Sequence, residues 1–232
     1  MAVELKEKVI CPKCGEETEV AVRKSLNTRQ DPDVKQKIMD RSMFRFHCPK
    51  CGQQIFLNYS FLYHQVEDRM MIYYAPDSNS YQEAKDAFDG NFKVNGVDPM
   101  LNPQVTELFQ RRIVRDLNVL CEKIEIRDAG LDDRVIELMK VAYGSMMQTR
   151  NPEQKVQEML FFRKKDGGYA ISFLNQGKGF ASVDFSRKVY DTMEEEFRDL
   201  LPASPEDSQY DIGFAWAMEL YRRNEERKEK QP

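Results

Sequence analysis

A chain of 232 residues with 41% hydrophobic and 32% charged side chains has the make-up of an ordinary globular protein, long enough for one or two domains with real cores. Its formal net charge of -4 argues against general avidity for nucleic acid. No apolar run approaches the ~18 residues of a membrane-spanning helix, and residues 1–10 lack the apolar core of a secretory leader, so a cytoplasmic location without membrane contact is expected.

The first element is Cys11-Pro12-Lys13-Cys14-Gly15, which returns almost unchanged as Cys48-Pro49-Lys50-Cys51-Gly52 after the 33 residues from Gly15 to His47. Two residues between sulfurs let one tight turn aim both at a single metal, and a glycine after each pair suits a turn that needs positive φ. Cys11, Cys14, Cys48 and Cys51 therefore form the expected ligand set of one zinc ion. Four thiolates close its coordination sphere, which makes the site structural and leaves no position for a reacting water. The rival reading is a redox Cys-Pro-x-Cys at the start of a helix. Here both pairs lead into period-2 alternation instead, and the motif occurs twice. His47 is read as a neighbour of the site. Cys121 is left as a lone thiol, so no disulfide framework is expected.

Residues 18–24 place Val20 and Val22 on one face and read as a strand leaving the first knuckle. Asp31-Pro32-Asp33 supplies an N-cap, a first-turn proline and an acid, predicting a short helix to about Asp40. Phe44 and Phe46 alternate into the second knuckle, and Ile55, Leu57 and Tyr59 alternate out of it. The expectation is a zinc-ribbon-like small sheet with a helical insertion, joined by an aromatic strand over residues 69–75 that stops at Pro76.

These residues resemble the CpXC family, bacterial and archaeal domains with two Cys-Pro-x-Cys motifs. The resemblance covers roughly residues 5–76. It rests on both pentapeptides, the long insertion between them, and Leu62-Tyr63-His64 followed by the strand at 69–74. It implies the zinc site and transfers no catalytic residue.

Residues 77–104, rich in Asp, Asn, Gly and Pro with a short helix over 81–88, read as a linker between a domain at 1–76 and a second at 105–232. The second domain is expected to be α+β. A strand over 107–114 precedes a helix with Leu117, Leu120, Cys121 and Ile124 at i, i+3, i+4 and i+7, closed by Gly130. Asp132 or Asp133 opens a second helix, with Val135, Leu138, Met139, Ala142, Tyr143 and Met146 on one face. An antiparallel meander follows over 156–164, 169–175 and 180–185. Helix 186–201 has Val189, Tyr190, Met193, Phe197 and Leu200 inward and stops at Pro202. A last helix is anchored by Phe214, Trp216, Met218 and Tyr221, and ends in a solvated charge run, 222–230.

No nucleotide-loop or nucleophile-elbow motif is present, and no catalytic residue is assigned. Asp128, Asp132, Asp133 and Glu137 around one interhelix turn read as caps and first-turn acids, Glu194, Glu195 and Glu196 as a solvated face, and His64 as a hydrogen-bonded loop histidine.

Residues 1–51 hold 11 Lys or Arg and 8 Asp or Glu, a formal +3. Four thiolates and a zinc ion reduce that to +1, slight against the roughly six to ten phosphate contacts of a firm DNA binder. Lys13 and Lys50 are read as stabilising the anionic centre. The function expected is an interaction or scaffold module with a protein partner, and the aromatic stretch 56–74 reads either as its contact surface or as core. The alternative is a nucleic-acid-binding or transcription-regulatory zinc ribbon.

Overall fold

The computed structural model describes residues 4–90, 108–201 and 209–230. The chain divides into two compact units, Met1–Leu117 and Asn118–Pro232, each combining helices with sheets as an α+β protein does.

In the N-terminal unit, β1 (Glu4–Ile10) and β2 (Glu17–Arg23) form an antiparallel hairpin whose turn is the first knuckle. β1 went unrecognised in the sequence because its charged residues bury little. Its order comes from pairing, Leu5 opposite Val22 and Val9 opposite Thr18. After β3 (Ser25–Asn27), α1 (Val34–Met39) starts two residues later than Asp31-Pro32-Asp33 suggests. Asp31 is an ion-pair hub instead of its N-cap. Its carboxylate meets Arg23 at 2.8 Å and Lys37 at 3.4 Å, and these bonds hold its pKa below the usual range. A 3-10 turn, Ser42–Phe44, leads into β4 (Arg45–His47), which pairs with β5 (Gln54–Phe56) around the second knuckle.

The aromatic strand does not join the knuckle hairpins. β6 (Phe61–Gln65) and β7 (Met70–Tyr74) form a separate hairpin. With α2 (Ser78–Phe88) between, β8 (Gln110–Val114) then adds beside β7, completing a mixed sheet of order β3-β6-β7-β8. β3 and β8 pair in parallel at its edges. β6 and β8 are buried along their whole length, as strands covered on both faces are. Phe44, Phe61, Tyr63, Met71 and Ile72 are fully buried, so of its two readings the aromatic stretch is core; Phe56 alone of its large apolar side chains is exposed, at 51%.

Two further expectations shift here. Residues 77–104, expected as a linker, contain α2, capped by a reciprocal Asp77–Ser80 box. The strand beyond them pairs with β7, so the first unit runs to Leu117. A boundary read from composition cannot register a parallel pairing made after an intervening helix. His64 is a buried strand residue and not a loop one, its Nδ1 3.5 Å from Asn27 Nδ2 and its ring edge-on to Phe109 at 4.8 Å.

In the C-terminal unit, α3 (Leu117–Asp128) ends in a Schellman turn, with Gly130 N–H donating to the Arg127 carbonyl and Leu131 N–H to that of Ile126. Asp132 caps α4 (Asp133–Arg150) by accepting from Arg134 N–H at 2.9 Å. β9 (Glu158–Arg163), β10 (Tyr169–Asn175) and β11 (Lys178–Asp184) make the expected meander. α5 (Arg187–Phe197), capped by Ser186, ends short of 201, and Pro202 lies outside the described residues. Ile126, Val135, Met139, Phe161, Ile171, Phe173 and Tyr190 form the main core.

Of the four anchors expected of the last helix, α6 (Phe214–Lys230), Trp216 and Tyr221 pack against the core and the other two do not. Phe214 and Met218 are 48% and 47% exposed, whereas Ala217, Leu220 and Asn224, spaced at i, i+3 and i+7, are buried. Side-chain size suggested the anchors, but the small Ala217 is what lets α6 approach Leu138, Val141 and Phe197. The charge run is helical to Lys230, and Arg227 and Lys228 pair with Asp199 at 2.8 Å and Glu196 at 2.6 Å.

Candidate metal centre

Each knuckle is a hairpin turn folded by its own backbone. Cys11 N–H donates to the Glu16 carbonyl at 2.9 Å and Gly15 N–H to the Cys11 carbonyl at 3.0 Å. The second knuckle repeats both bonds, Cys48 to Gln53 and Gly52 to Cys48, at 2.9 Å each. Gly15 and Gly52 sit at φ +72 and +69, where a Cβ is strained even with open space around it. Gly15→Ala or Gly52→Ala is expected to cost about 1–2 kcal/mol through that strain alone. A thermal melt of the metal-loaded protein checks this, and unchanged melting of both variants would contradict it.

The two turns bring four sulfurs together, all within 4.8 Å of one another. Cys11 Sγ to Cys51 Sγ and Cys14 Sγ to Cys48 Sγ are both 3.6 Å. A disulfide requires about 2.05 Å. Four thiolates about 2.3 Å from a tetrahedral ion lie about 3.8 Å apart, so the observed spacing fits a metal.

The charge chemistry fits as well. Burial opposes the Cys11 thiolate, but N–H groups of Cys14 and Lys13 and the neighbouring sulfurs outweigh it and draw its pKa down to about 6. Cys14 has the N–H of Glu16 in its favour, yet burial and the surrounding sulfurs push it up to about 12. Sulfurs this close resist sharing negative charge until a cation lies among them.

Lys50 joins the knuckles from outside, its ammonium 3.0 Å from Glu16 across the site. Glu16 first, and then Cys14 and Cys48, raise its pKa, which agrees with the stabilising role expected of it. Other lysines of the N-terminal unit also face carboxylates: Lys6 meets Glu19 at 3.2 Å, Lys8 Glu17 at 2.7 Å and Lys24 Glu7 at 3.3 Å.

The carboxylates noted at the interhelix turn separate into two groups. Asp132 is the cap and pairs with Arg134 at 2.6 Å. Asp133 is the first-turn acid expected of it, but it and Glu137 are also buried with Lys123, Lys140 and Glu122 in an ion-pair cluster that the sequence reading missed. The signal was the recurrence of Asp133, Glu137 and Lys140 at i, i+4 and i+7 on a helix whose other inward face is apolar. Cys121 is half-buried beside a stripe in which Leu117, Leu120 and Ile124 are buried.

The family model described as CpXC protein matches residues 9–140, well beyond the 5–76 of the sequence resemblance and far enough to include this cluster. No curated protein and no solved structure matches the chain.

Proposed function

The chain belongs to the CpXC family, and from that membership we propose that Cys11, Cys14, Cys48 and Cys51 hold one structural zinc ion, and that the unit built on it is a cytoplasmic protein-interaction module. Four soft thiolates in a tetrahedral set suit zinc or iron, and a closed sphere suits a structural metal. When bound, the ion supplies a cross-link between two hairpins that share no strand.

The observation that carries the interaction reading is the surface of those hairpins. Ile10 and Phe56, one on each, are 65% and 51% exposed, while Lys6, Lys8 and Lys50 are matched to carboxylates. Exposed apolar side chains with internally neutralised charge favour a protein surface over a phosphate backbone. Among the described residues no helix is long and apolar enough to cross a membrane.

The test is recovery of partners from native lysate by the wild type and by Ile10→Asp/Phe56→Asp, with and without nuclease and at low and high salt. A nuclease-resistant protein partner lost in the variant, with metal content unchanged, is the expected result. Recovery of nucleic acid alone, falling steeply with salt, would replace this reading with a nucleic-acid role. Metal analysis of the purified protein separates zinc from iron.

A further inference from the structure

Charge enters the C-terminal unit along α4. Asp133, Glu137 and Lys140 share one face and meet Glu122 and Lys123 of α3, and all five are at most 4% exposed. They form an alternating chain: Asp133 to Lys123 at 3.0 Å, Lys123 to Glu137 at 3.0 Å, Glu137 to Lys140 at 3.0 Å, and Lys140 to Glu122 at 2.6 Å. With all three carboxyls ionised, these five side chains carry one negative charge in excess of their two ammoniums.

The chain ends at Glu122. Its Oε1 accepts from Lys140 and from the Phe161 backbone N–H at 2.5 Å, but its Oε2, equally buried, accepts from no group among the described residues. A buried carboxylate oxygen without a donor is a costly arrangement unless something else supplies one. Burial raises the pKa of Glu122 against the pull of Lys140.

Glu122, Glu137 and Lys140 also line a cavity of about 910 Å³ within this unit, which runs from them to the exposed Phe214 and Met218 of α6. That volume lies in the range of small-molecule sites, and a mainly apolar wall with a few convergent polar groups is their usual chemistry. The charged lining is unbalanced: Glu122, Glu137, Glu158 and Glu225 against Lys140 and Arg222. Arg222 is itself taken up by Glu219 at 2.6 Å and by Glu226.

We infer that this cavity binds a small organic cation, a primary ammonium on an apolar body, with the ammonium donating to Glu122 Oε2 and the body lying toward Phe214 and Met218. The head group would add the missing member of the alternating chain and bring its charges to three of each sign. An anionic ligand would meet the acidic lining, and a neutral one would leave the excess charge in place.

The full-length protein should be titrated by calorimetry and protein NMR with phenethylammonium and tryptammonium, and with 2-phenylethanol and 3-phenylpropionate as neutral and anionic counterparts. One saturable site per chain is expected for the ammonium probes, at least about tenfold tighter than for the alcohol, as one charge-assisted hydrogen bond provides, with the carboxylate not binding. Glu122→Gln should lose that tenfold preference. Phe214→Ala/Met218→Ala removes exposed side chains outside the core and should weaken ammonium binding about threefold or more through lost apolar contact, at unchanged melting temperature. Should Glu122→Gln fail to fold, the charge series and the α6 variant decide. Saturation by neither ammonium probe, equal binding of all probes, or an ammonium preference retained in folded Glu122→Gln would each overturn the inference.

Discussion

Cys48→Ser is expected to release the metal and, with it, the order of the β1/β2 hairpin. A two-stranded hairpin is marginal in water without further packing, and this one buries little: Cys11 and Val22 are its only buried hydrophobic residues. Its ion pairs, Lys6–Glu19 and Lys8–Glu17, join side chains more than half exposed, where water and salt screen them. The metal is therefore the principal tie. Small zinc-finger peptides gain about 10–16 kcal/mol of apparent binding free energy from their ion, as much as a whole domain's usual margin of about 5–15 kcal/mol. The second hairpin should suffer less, since Leu57 N–H donates to the fully buried Phe44 at 2.7 Å and anchors it to the core. The expected outcome is about one zinc per chain in the wild type and a large loss in the variant. Amide exchange should lose protection over residues 4–23, lose less over 45–56, and be unchanged over 118–201 and 209–230, whose core is their own. Chelation should reproduce the pattern. Full protection of β1/β2 without metal would refute the structural role.

What the sequence disclosed and what it withheld follow from the range of the interactions. The knuckles were legible because their chemistry is local: two sulfurs, a turn and a glycine within five residues fix the geometry, whatever surrounds it. The Schellman turn at Gly130, the cap at Asp132 and the β9-β10-β11 meander are local in the same sense. β3 with β6 and β7 with β8 were not legible, because each pairing joins strands separated by other elements and is parallel, which no turn residue announces. The candidate ion-pair cluster was missed for a different reason. Asp133 follows a cap and looks like a first-turn acid, and only the approach of Lys123 from another helix makes it an interior group. α6 misled by size, since Phe214 and Met218 suggest a core and Ala217 does not.

The buried cluster should respond to mutation in a way that surface pairs would not. Lys140→Met is expected to destabilise the C-terminal unit by about 3–5 kcal/mol, the cost of leaving a buried charge without its partner, because both Glu122 and Glu137 lose their shared ammonium. Lys140→Met/Glu122→Leu should recover much of this loss, since an apolar pair of similar volume avoids the desolvation that the ions suffer. The remaining three groups still hold Lys123 between Asp133 and Glu137. Shared partners make the changes non-additive, so denaturant unfolding of both single variants and the double variant is the informative set. The pH dependence separates the two glutamates. Glu137 is opposed by burial, but Lys123 and Lys140 outweigh it and lower its pKa, so its contribution is present above the unfolded value and is lost as pH falls through the lowered one. Burial raises the pKa of Glu122, so the folded state binds the extra proton and stability declines as pH rises from the unfolded value toward the raised one. Lys140 is raised by Glu122 and Glu137 in spite of burial, and its contribution is present below the unfolded value and lost only as alkaline pH passes the raised one. Glu122→Gln should therefore flatten the decline on the neutral side and leave the acid limb, set by Glu137, in place. An unaltered stability profile in Glu122→Gln, or a Lys140→Met protein as stable as the wild type, would mean that the five side chains do not form the buried chain described.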